Sequence, residues 1–462
     1  MFSHEKSSMF TTILIVVSTS VGVGCFYIPA AFKNCGAIAG VIISLIVGTF
    51  SVLSMKTLAN ASVKSGTESY GSLLFMAYSD EITTSLRIQR SEKPFFSVPR
   101  LFDFLVFLDC LFCIPLFLIV LSDLIPSLIS YFGFVNDYLF MFSSKTAIIS
   151  LFSLLFFPIC IPSGCFNWIG LTFLSMISIF LCFVSVINQS IASGFGIDSI
   201  IKEISNISFN SNSIPSYFSL FNICIFAFFS QFNIIQAAAN LKNPSRNRLR
   251  ILTALTGIII VFSYSIMSLI SFSFLGDKTE EFLLNSLSDT SYLFFISRLL
   301  VVISLFFIIP LHIYPMLDAL TNFIDNNYLS EMEGSRNVQT GFNEQGIPLI
   351  NNGNHIIASG IVNNKTTFIR TKTGRILLLT LILFLSCIIG IKFQNRPSSL
   401  VIMVGGFVDS IFVFLFPALI HHRVIYNKKE KFTSSPIRLL LSFLFIISVL
   451  GSVNLLLSLY FH

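Results

Sequence analysis

Charge is what this sequence has least of. Only 11 % of its 462 residues are Asp, Glu, Lys or Arg, against about 25 % in a soluble globular chain. So few charges cannot cover a water-facing surface, which excludes a soluble enzyme. Apolar residues make up 54 % and mean hydropathy is +0.84, which excludes disorder over most of the chain. Nine Cys is an odd count, and most lie inside apolar runs, so a small disulfide-stapled secreted scaffold is excluded too. A cleavable leader is not evident, because the first apolar run, 10–32, is too long and carries Gly and Pro in its second half. What remains is a polytopic membrane protein. In such a chain the net charge of +6 is no sign of nucleic-acid binding, since the placement of basic residues matters more than their sum.

A helix needs about 20 apolar residues to cross the hydrocarbon core. Eleven runs qualify: 10–32, 37–59, 101–125, 146–162, 167–189, 216–240, 250–275, 291–317, 375–392, 399–421 and 436–459, numbered below as spans 1 to 11. No stretch shows the alternation of a barrel strand, so the expected fold is all-α. Lys and Arg set the orientation. With the N-terminus inside, nineteen of them fall in inner segments, including Arg87, Arg90, Lys93, Arg246, Arg248 and Arg250. Six fall outside: Lys33, Lys145, Lys202, Lys278, Lys392 and Arg396. This asymmetry predicts N-in, C-out. The acidic stretch 277–281 and the glycosylation acceptor Asn206 to Ser208 then lie outside.

Segments between the runs complete the expected organisation. Residues 1–9 form a cytoplasmic N-terminus, and 60–100 a polar cytoplasmic segment with a surface helix from Tyr70 to about Ser79. Residues 190–215 form an outer loop rich in Ser and Asn. Residues 318–373, rich in Asn and Gly, read as a disordered cytoplasmic loop, either a tolerated linker or a regulatory element. The chain divides into a five-helix unit at 10–189, a second at 216–421, and an added eleventh helix at 436–459.

Transporters place substrate where a membrane helix is interrupted near mid-depth. Span 1 carries Ser18, Thr19, Ser20, Val21, Gly22, Val23, Gly24 and Cys25, two glycines flanked by three hydroxyls. Gly permits unusual backbone angles and close approach, and Ser or Thr can rebond a broken turn or hold an ion. A close helix crossing of the small-xxx-small type explains the glycines equally well. A nucleotide fingerprint does not fit, as no strand precedes them. Span 6 carries Phe228, Ser230, Gln231 and Asn233, polar groups that must face protein or water. An interhelical hydrogen-bond cluster would also account for them, and without Gly the signal for a break is weaker. Spans 1 and 6 each open a five-helix half, and an odd number per half makes the halves inverted.

Two acids lie deep in apolar surroundings: Asp109 in span 3 and Asp409 in span 10. A charged Asp at the bilayer centre costs at least about 2.5–3.5 kcal/mol. Such a group suits proton uptake and release, or pairing with a cationic substrate, or a structural hydrogen bond. Asp103 and Asp123 sit nearer the ends of span 3, where water can solvate them, and Arg298 can snorkel or pair with an acid such as Asp123. Cys110 and Cys113 lack His partners and read as packing. His421 and His422 read as an interfacial pair, and no metal site is expected. No nucleophile elbow, phosphate loop or glycosidase carboxylate pair is present, so the chain is not expected to be an enzyme.

At these residues the sequence resembles the amino acid/auxin permease family. The stretch from Gly22 through Pro29, Ala31 and Phe32 to Gly36 is similar to the family's opening G-x-G-hydrophobic-L-x-L-P-x-A-F-x-x-x-G. Phe226, Phe228, Asn233 and the run Asn240 to Arg246 resemble its sixth helix and the basic turn that follows. Tyr264 with Phe274 to Asp277, Arg298 with Pro310 and Pro315, and Gly405 and Gly406 with Phe416 to Leu419 match its seventh, eighth and tenth helices, in order and at proper spacing. The resemblance implies eleven helices in a leucine-transporter-like 5+5 inverted repeat plus one, and amino acid transport. It implies a substrate carboxylate on the amides of Val21 to Cys25 and an ammonium on carbonyls of span 1 and of Phe228 to Ser230. Departures bear on the coupling ion. Ser18 stands where the sodium-coupled branch has Asn, and Phe306 to Ile309 stand where it offers hydroxyls. A hard cation needs several oxygen ligands, so the proton is expected as coupling ion rather than sodium, with no other cofactor.

The expected function is secondary active, proton-coupled amino acid transport, with a small-molecule amino acid and membrane lipid as partners and no nucleic acid. An amino acid sensor that binds without efficient transport shares the same pocket and stays open as an alternative. An equilibrative nucleoside carrier would need none of the motifs in spans 1 and 6. The membrane is expected to be the plasma membrane or a vacuolar or lysosomal one.

Overall fold

The computed structural model describes residues 7–20, 22–78, 98–131, 144–161, 169–192, 214–287, 292–324, 371–425 and 435–461. All eleven expected spans are helical, because a helix alone satisfies its backbone polar groups within one segment. Among the described residues, eight are long and apolar enough to cross a membrane. Span 1 does so only as two helices, Met9–Ser20 and Ile28–Cys35, joined through a 3-10 turn at Val23–Tyr27. Spans 4 (Lys145–Cys160) and 5 (Ile169–Ala192) supply shorter apolar stretches. Span 6 is also two helices, Ile214–Ala227 and Gln231–Asn240.

Several elements exceed their apolar runs. Span 3 covers Val98–Tyr131 and span 8 covers Tyr292–Ile324. At 1.5 Å per residue each is about 50 Å long, against about 30 Å of hydrocarbon, so both project beyond it. Residues 318–324 are therefore helical rather than disordered, and Asp318 pairs with Arg375 at 2.7 Å as span 9 (Lys372–Phe393) begins. The rest of that expected loop, 325–370, the outer loop at 193–213 with Asn206, and 79–97 with Arg87, Arg90 and Lys93 lie outside the described residues. The expected surface helix exists at 70–78, but it is not superficial. Tyr70, Leu73 and Leu74 are buried, and the Tyr70 hydroxyl donates to the Phe412 carbonyl at 2.7 Å.

The packing order shows a repeat that the residue pattern hides. Span 2 (Ala37–Ser65) packs on span 7 (Arg246–Leu275), span 3 on span 8, and span 4 on span 9. Spans 1 and 6 pack on one another along both halves. Span 1 also touches spans 5 and 7, while span 6 touches spans 10 and 2. Exchanging spans 1–5 with 6–10 maps these neighbours onto themselves, as a two-fold repeat requires. Spans 9 and 11 (Pro436–Phe461) bury least, 33 % and 28 % of their most apolar windows, which places them at the rim. Their exposed Leu377, Phe384 and Phe443 belong against lipid.

Span 10 is irregular. It opens as an α-helix at Pro397–Met403, widens to π-helix at Val404–Asp409 and Ile411–Leu415, and ends in a third π stretch at His421–Ile425. π-turns are rare and gather at functional positions.

Candidate substrate and proton site

The breaks in spans 1 and 6 lie against each other. The first and last turns of a helix leave backbone amides and carbonyls without intrahelical partners, so two broken helices set four such ends in the protein interior. Gly22 joins the halves of span 1 in extended conformation, φ −143° and ψ −175°. Its N–H donates to the Tyr264 hydroxyl of span 7 at 3.3 Å. The Tyr264 ring stacks on Phe228 of span 6, with centroids 6.0 Å apart.

The two glycines have different work. A Cβ on Gly22 would meet nothing within 4 Å, so open space lies beside the freed amides. A Cβ on Gly24 would stand 2.9 Å from Phe226 Cδ1 and 3.1 Å from Ala227 Cα. Gly24 therefore serves the close crossing, and Gly22 leaves the gap. The hydroxyls of Ser18, Thr19 and Ser20 bond back to carbonyls of their own helix, Ile15 for the first two and Val16 for Ser20 at 2.6 Å. They rebond the last turn instead of pointing at the gap. Cys25 is buried, with its thiol donating to the Gly22 carbonyl at 3.2 Å, and Val23 is buried beside it. Val21 lies outside the described residues.

In span 6 the break falls at 228–230, firmer than the residue pattern suggests. The Phe228 carbonyl, released from the helix, accepts from the Ser51 hydroxyl of span 2 at 3.2 Å, and Ser51 in turn accepts from Gln231 Nε2 at 3.2 Å. Gln231 Oε1 accepts from the Ser230 N–H at 2.9 Å, and the Ser230 hydroxyl lies 2.9 Å from Met55 Sδ. The side chain thus replaces the missing turn. Asn233 is partly exposed and stands outside this cluster. Ser51 and Tyr264 are the site residues that residue reasoning left out. Nothing distinguishes Ser51 from Ser44 or Ser54 in the sequence, whereas Tyr264 was visible as a lone polar aromatic.

Above the break, Phe26 and Tyr27 each lie 5.5 Å, centroid to centroid, from the buried Phe282 ring. The connection between spans 7 and 8 is held there by Arg298, whose Nη2 donates to the carbonyls of Leu284 at 2.7 Å and Leu287 at 2.8 Å. Asp123 is bound by Lys145 rather than solvated, with its side chain 3 % exposed. Asp103 is likewise buried.

The two deep acids, 300 residues apart in the chain, meet. Asp109 lies on span 3, which packs on the first π stretch of span 10, and that stretch ends in Asp409, within interaction range of Asp109. Asp409 is fully buried, and no donor from the described chain reaches either of its oxygens. Asp109 is only partly buried, and the Cys113 thiol one turn on points at its Oδ1 from 3.6 Å.

Comparison with known proteins bears on the family and the fold. Two curated relatives carry the name "Putative amino acid transporter AAT1". The one from Plasmodium berghei (strain Anka) is 22 % identical over 462 residues, covering 95 % of this chain and 69 % of its own. The one from Plasmodium falciparum (isolate 3D7) is 22 % identical over 302 residues, covering 65 % of this chain and 45 % of its own. The crystal structure of MhsT in complex with L-phenylalanine superposes with a TM-score of 0.51 at 13 % identity, over 99 % of this chain and 100 % of that one, a likeness of fold. The family model described as transmembrane amino acid transporter protein matches residues 5–461, and this integral membrane chain, with its leucine-transporter-like fold, belongs to that family.

Proposed function

We propose that this protein is a secondary active amino acid transporter that works by alternating access and is driven by protons. The substrate site lies in the gap beside Gly22. There the amides from Gly22 to Cys25 take the α-carboxylate, the Gly22 N–H leaving the Tyr264 hydroxyl to do so, since a helix start favours an anion. The carbonyls that end the first half of span 1 take the ammonium, for the opposite reason. The Phe228–Tyr264 stack forms a wall for the substrate side chain.

The observation that carries proton coupling is the Asp109–Asp409 pair. Two carboxyl groups held together away from water cannot both be charged at low cost, so they hold a proton between them. Asp109, partly exposed, exchanges with water, and Asp409 holds the buried share. Sodium is not favoured: Ser18 stands where the sodium-coupled branch has Asn, and Phe306 to Ile309 offer no side-chain oxygen.

The test is uptake of a mixed labelled amino acid set into proteoliposomes under an inward proton gradient, with sodium then replaced by choline. Uptake that follows the proton gradient, ignores sodium and loses its proton dependence in Asp409→Asn is expected. A requirement for sodium overturns the coupling. Saturable binding without uptake moves the chain to the sensor class. Uptake confined to Lys and Arg, independent of proton gradient, gives the acid pair to a cationic substrate.

A further inference from the structure

Span 11 stands outside the ten-helix repeat, yet a buried polar cluster ties it to spans 6 and 10. Asn222 of span 6 is fully buried six residues before the break. Its Nδ2 donates to the Ser452 hydroxyl at 2.9 Å and the Ser448 carbonyl at 3.2 Å, and its Oδ1 accepts from the Ser448 hydroxyl at 2.8 Å. Both serines of span 11 then reach span 10. Ser448 lies 3.2 Å from the Gly406 carbonyl and Ser452 3.4 Å from that of Ile402. These two carbonyls bracket the start of the π stretch that ends in Asp409. The spacing needs both glycines of that stretch. A Cβ on Gly405 would overlap the Asn222 carbonyl, and one on Gly406 would overlap Ser452 Oγ. A Cβ on Gly451 would stand 2.8 Å from Phe218 Cβ, so span 11 is pressed onto span 6 as well.

A π-turn is less stable than an α-turn and persists only when its surroundings fix it. Here the fixing contacts are polar and specific, three helices wide, and sit one turn from Asp409. We propose that Asn222 is a positioning residue for the Asp109–Asp409 pair: through Ser448 and Ser452 it holds span 10 in the π-helical form that turns Asp409 toward Asp109, and so couples the proton pair to the half of span 6 that ends at the substrate gap. This rests on the reading of that pair as the proton site. The titratable groups around Asp409 are those of span 3, Asp109, Cys110 and Cys113. Spans 6 and 11, which pack on the same stretch, present Asn222, Ser448 and Ser452 there, none ionisable, and Cys224 of span 6 turns away to Ser44.

The experiment measures uptake by the full chain in proteoliposomes across external pH, with the labelled amino acid taken up best from an equimolar mixture. The variants are Asn222→Leu, Ser448→Ala, Asp409→Asn and the double Asn222→Leu/Asp409→Asn. The expected result is that Asn222→Leu and Ser448→Ala each displace the pH of half-maximal uptake by about half a unit or more. KM at saturating proton changes by less than about twofold. The double variant then matches Asp409→Asn alone, since the lock acts through that residue. A uniform loss of uptake at every pH, with the midpoint unmoved in both lock variants, overturns the positioning role and leaves the proton pair intact. A wild-type pH profile in Asp409→Asn overturns the pair itself and the inference with it. Ser448→Ala, which removes one hydroxyl and no volume of consequence, keeps the test valid should Asn222→Leu fail to fold.

Discussion

Gly22 and Gly24 differ by two residues and should differ sharply in what a methyl group does to them. Gly24→Ala places a Cβ 2.9 Å from Phe226 Cδ1 and 3.1 Å from Ala227 Cα, where carbon atoms rest at about 3.5–4.0 Å. The Phe226 ring can swing, but Ala227 Cα is backbone, so spans 1 and 6 must part. Overpacking of this kind costs about 1–3 kcal/mol, and the backbone neighbour sets it toward the upper end. Gly22→Ala meets nothing within 4 Å, and its extended backbone suits any residue. A substitution at such a place gains about 0.4–1 kcal/mol through the unfolded chain. The two variants should therefore lie roughly 2–4 kcal/mol apart in stability. Unfolding in detergent, followed by the monodisperse fraction, reads that difference, and equilibrium binding of the transported amino acid reads the other half. Gly22→Ala should be slightly more stable than wild type and lose affinity at least about tenfold, because its methyl fills the gap assigned to the substrate. Equal stability in the two variants would refute the close-crossing argument. Unchanged affinity in Gly22→Ala would remove the substrate from that gap.

Three further outcomes follow from single contacts. Ser51→Ala strands the buried Phe228 carbonyl and Gln231 Nε2 together. The expected loss is about 1–3 kcal/mol, read by detergent unfolding, while Ser54→Ala, whose hydroxyl has no partner among the described residues, costs little. Lys145→Met leaves Asp123 buried without its cation. Lys145 is 43 % exposed, so solvent screening holds the loss to about 1–2 kcal/mol, and acidification should shrink the difference from wild type as Asp123 takes a proton. Ser7→Pro removes the N–H that donates to the Asn240 carbonyl at 2.9 Å, and with it one of the two bonds tying the N-terminus to the turn after span 6. Hydrogen exchange at Lys242, whose N–H donates to the Ser7 carbonyl at 3.0 Å, should rise while exchange within span 7 stays put.

Composition set the solvent, and through it most of the architecture. With 11 % charge the chain must live in lipid, lipid admits helices, and apolar runs of about 20 residues count them, so eleven spans were legible from end to end. Gly22 and Gly24 marked where span 1 departs from an ordinary apolar helix, by a break or by a close crossing. Asp109 and Asp409 stood out because an acid in hydrocarbon is costly. Packing settles what these residues do for one another. Polarity says that an acid must be accommodated, but not that its partner lies 300 residues away on another helix. Sequence spacing could not separate the glycine that packs from the one that leaves space, because the difference lies in Phe226 and Ala227 across the crossing. Nor could it show that helix 70–78 is buried by Phe412, or that span 11 reaches the repeat through Asn222. The inverted repeat has no trace in residue identity. It exists in the order in which helices pack, since lipid asks only that each helix be apolar and leaves its neighbours to shape and to a few buried polar groups.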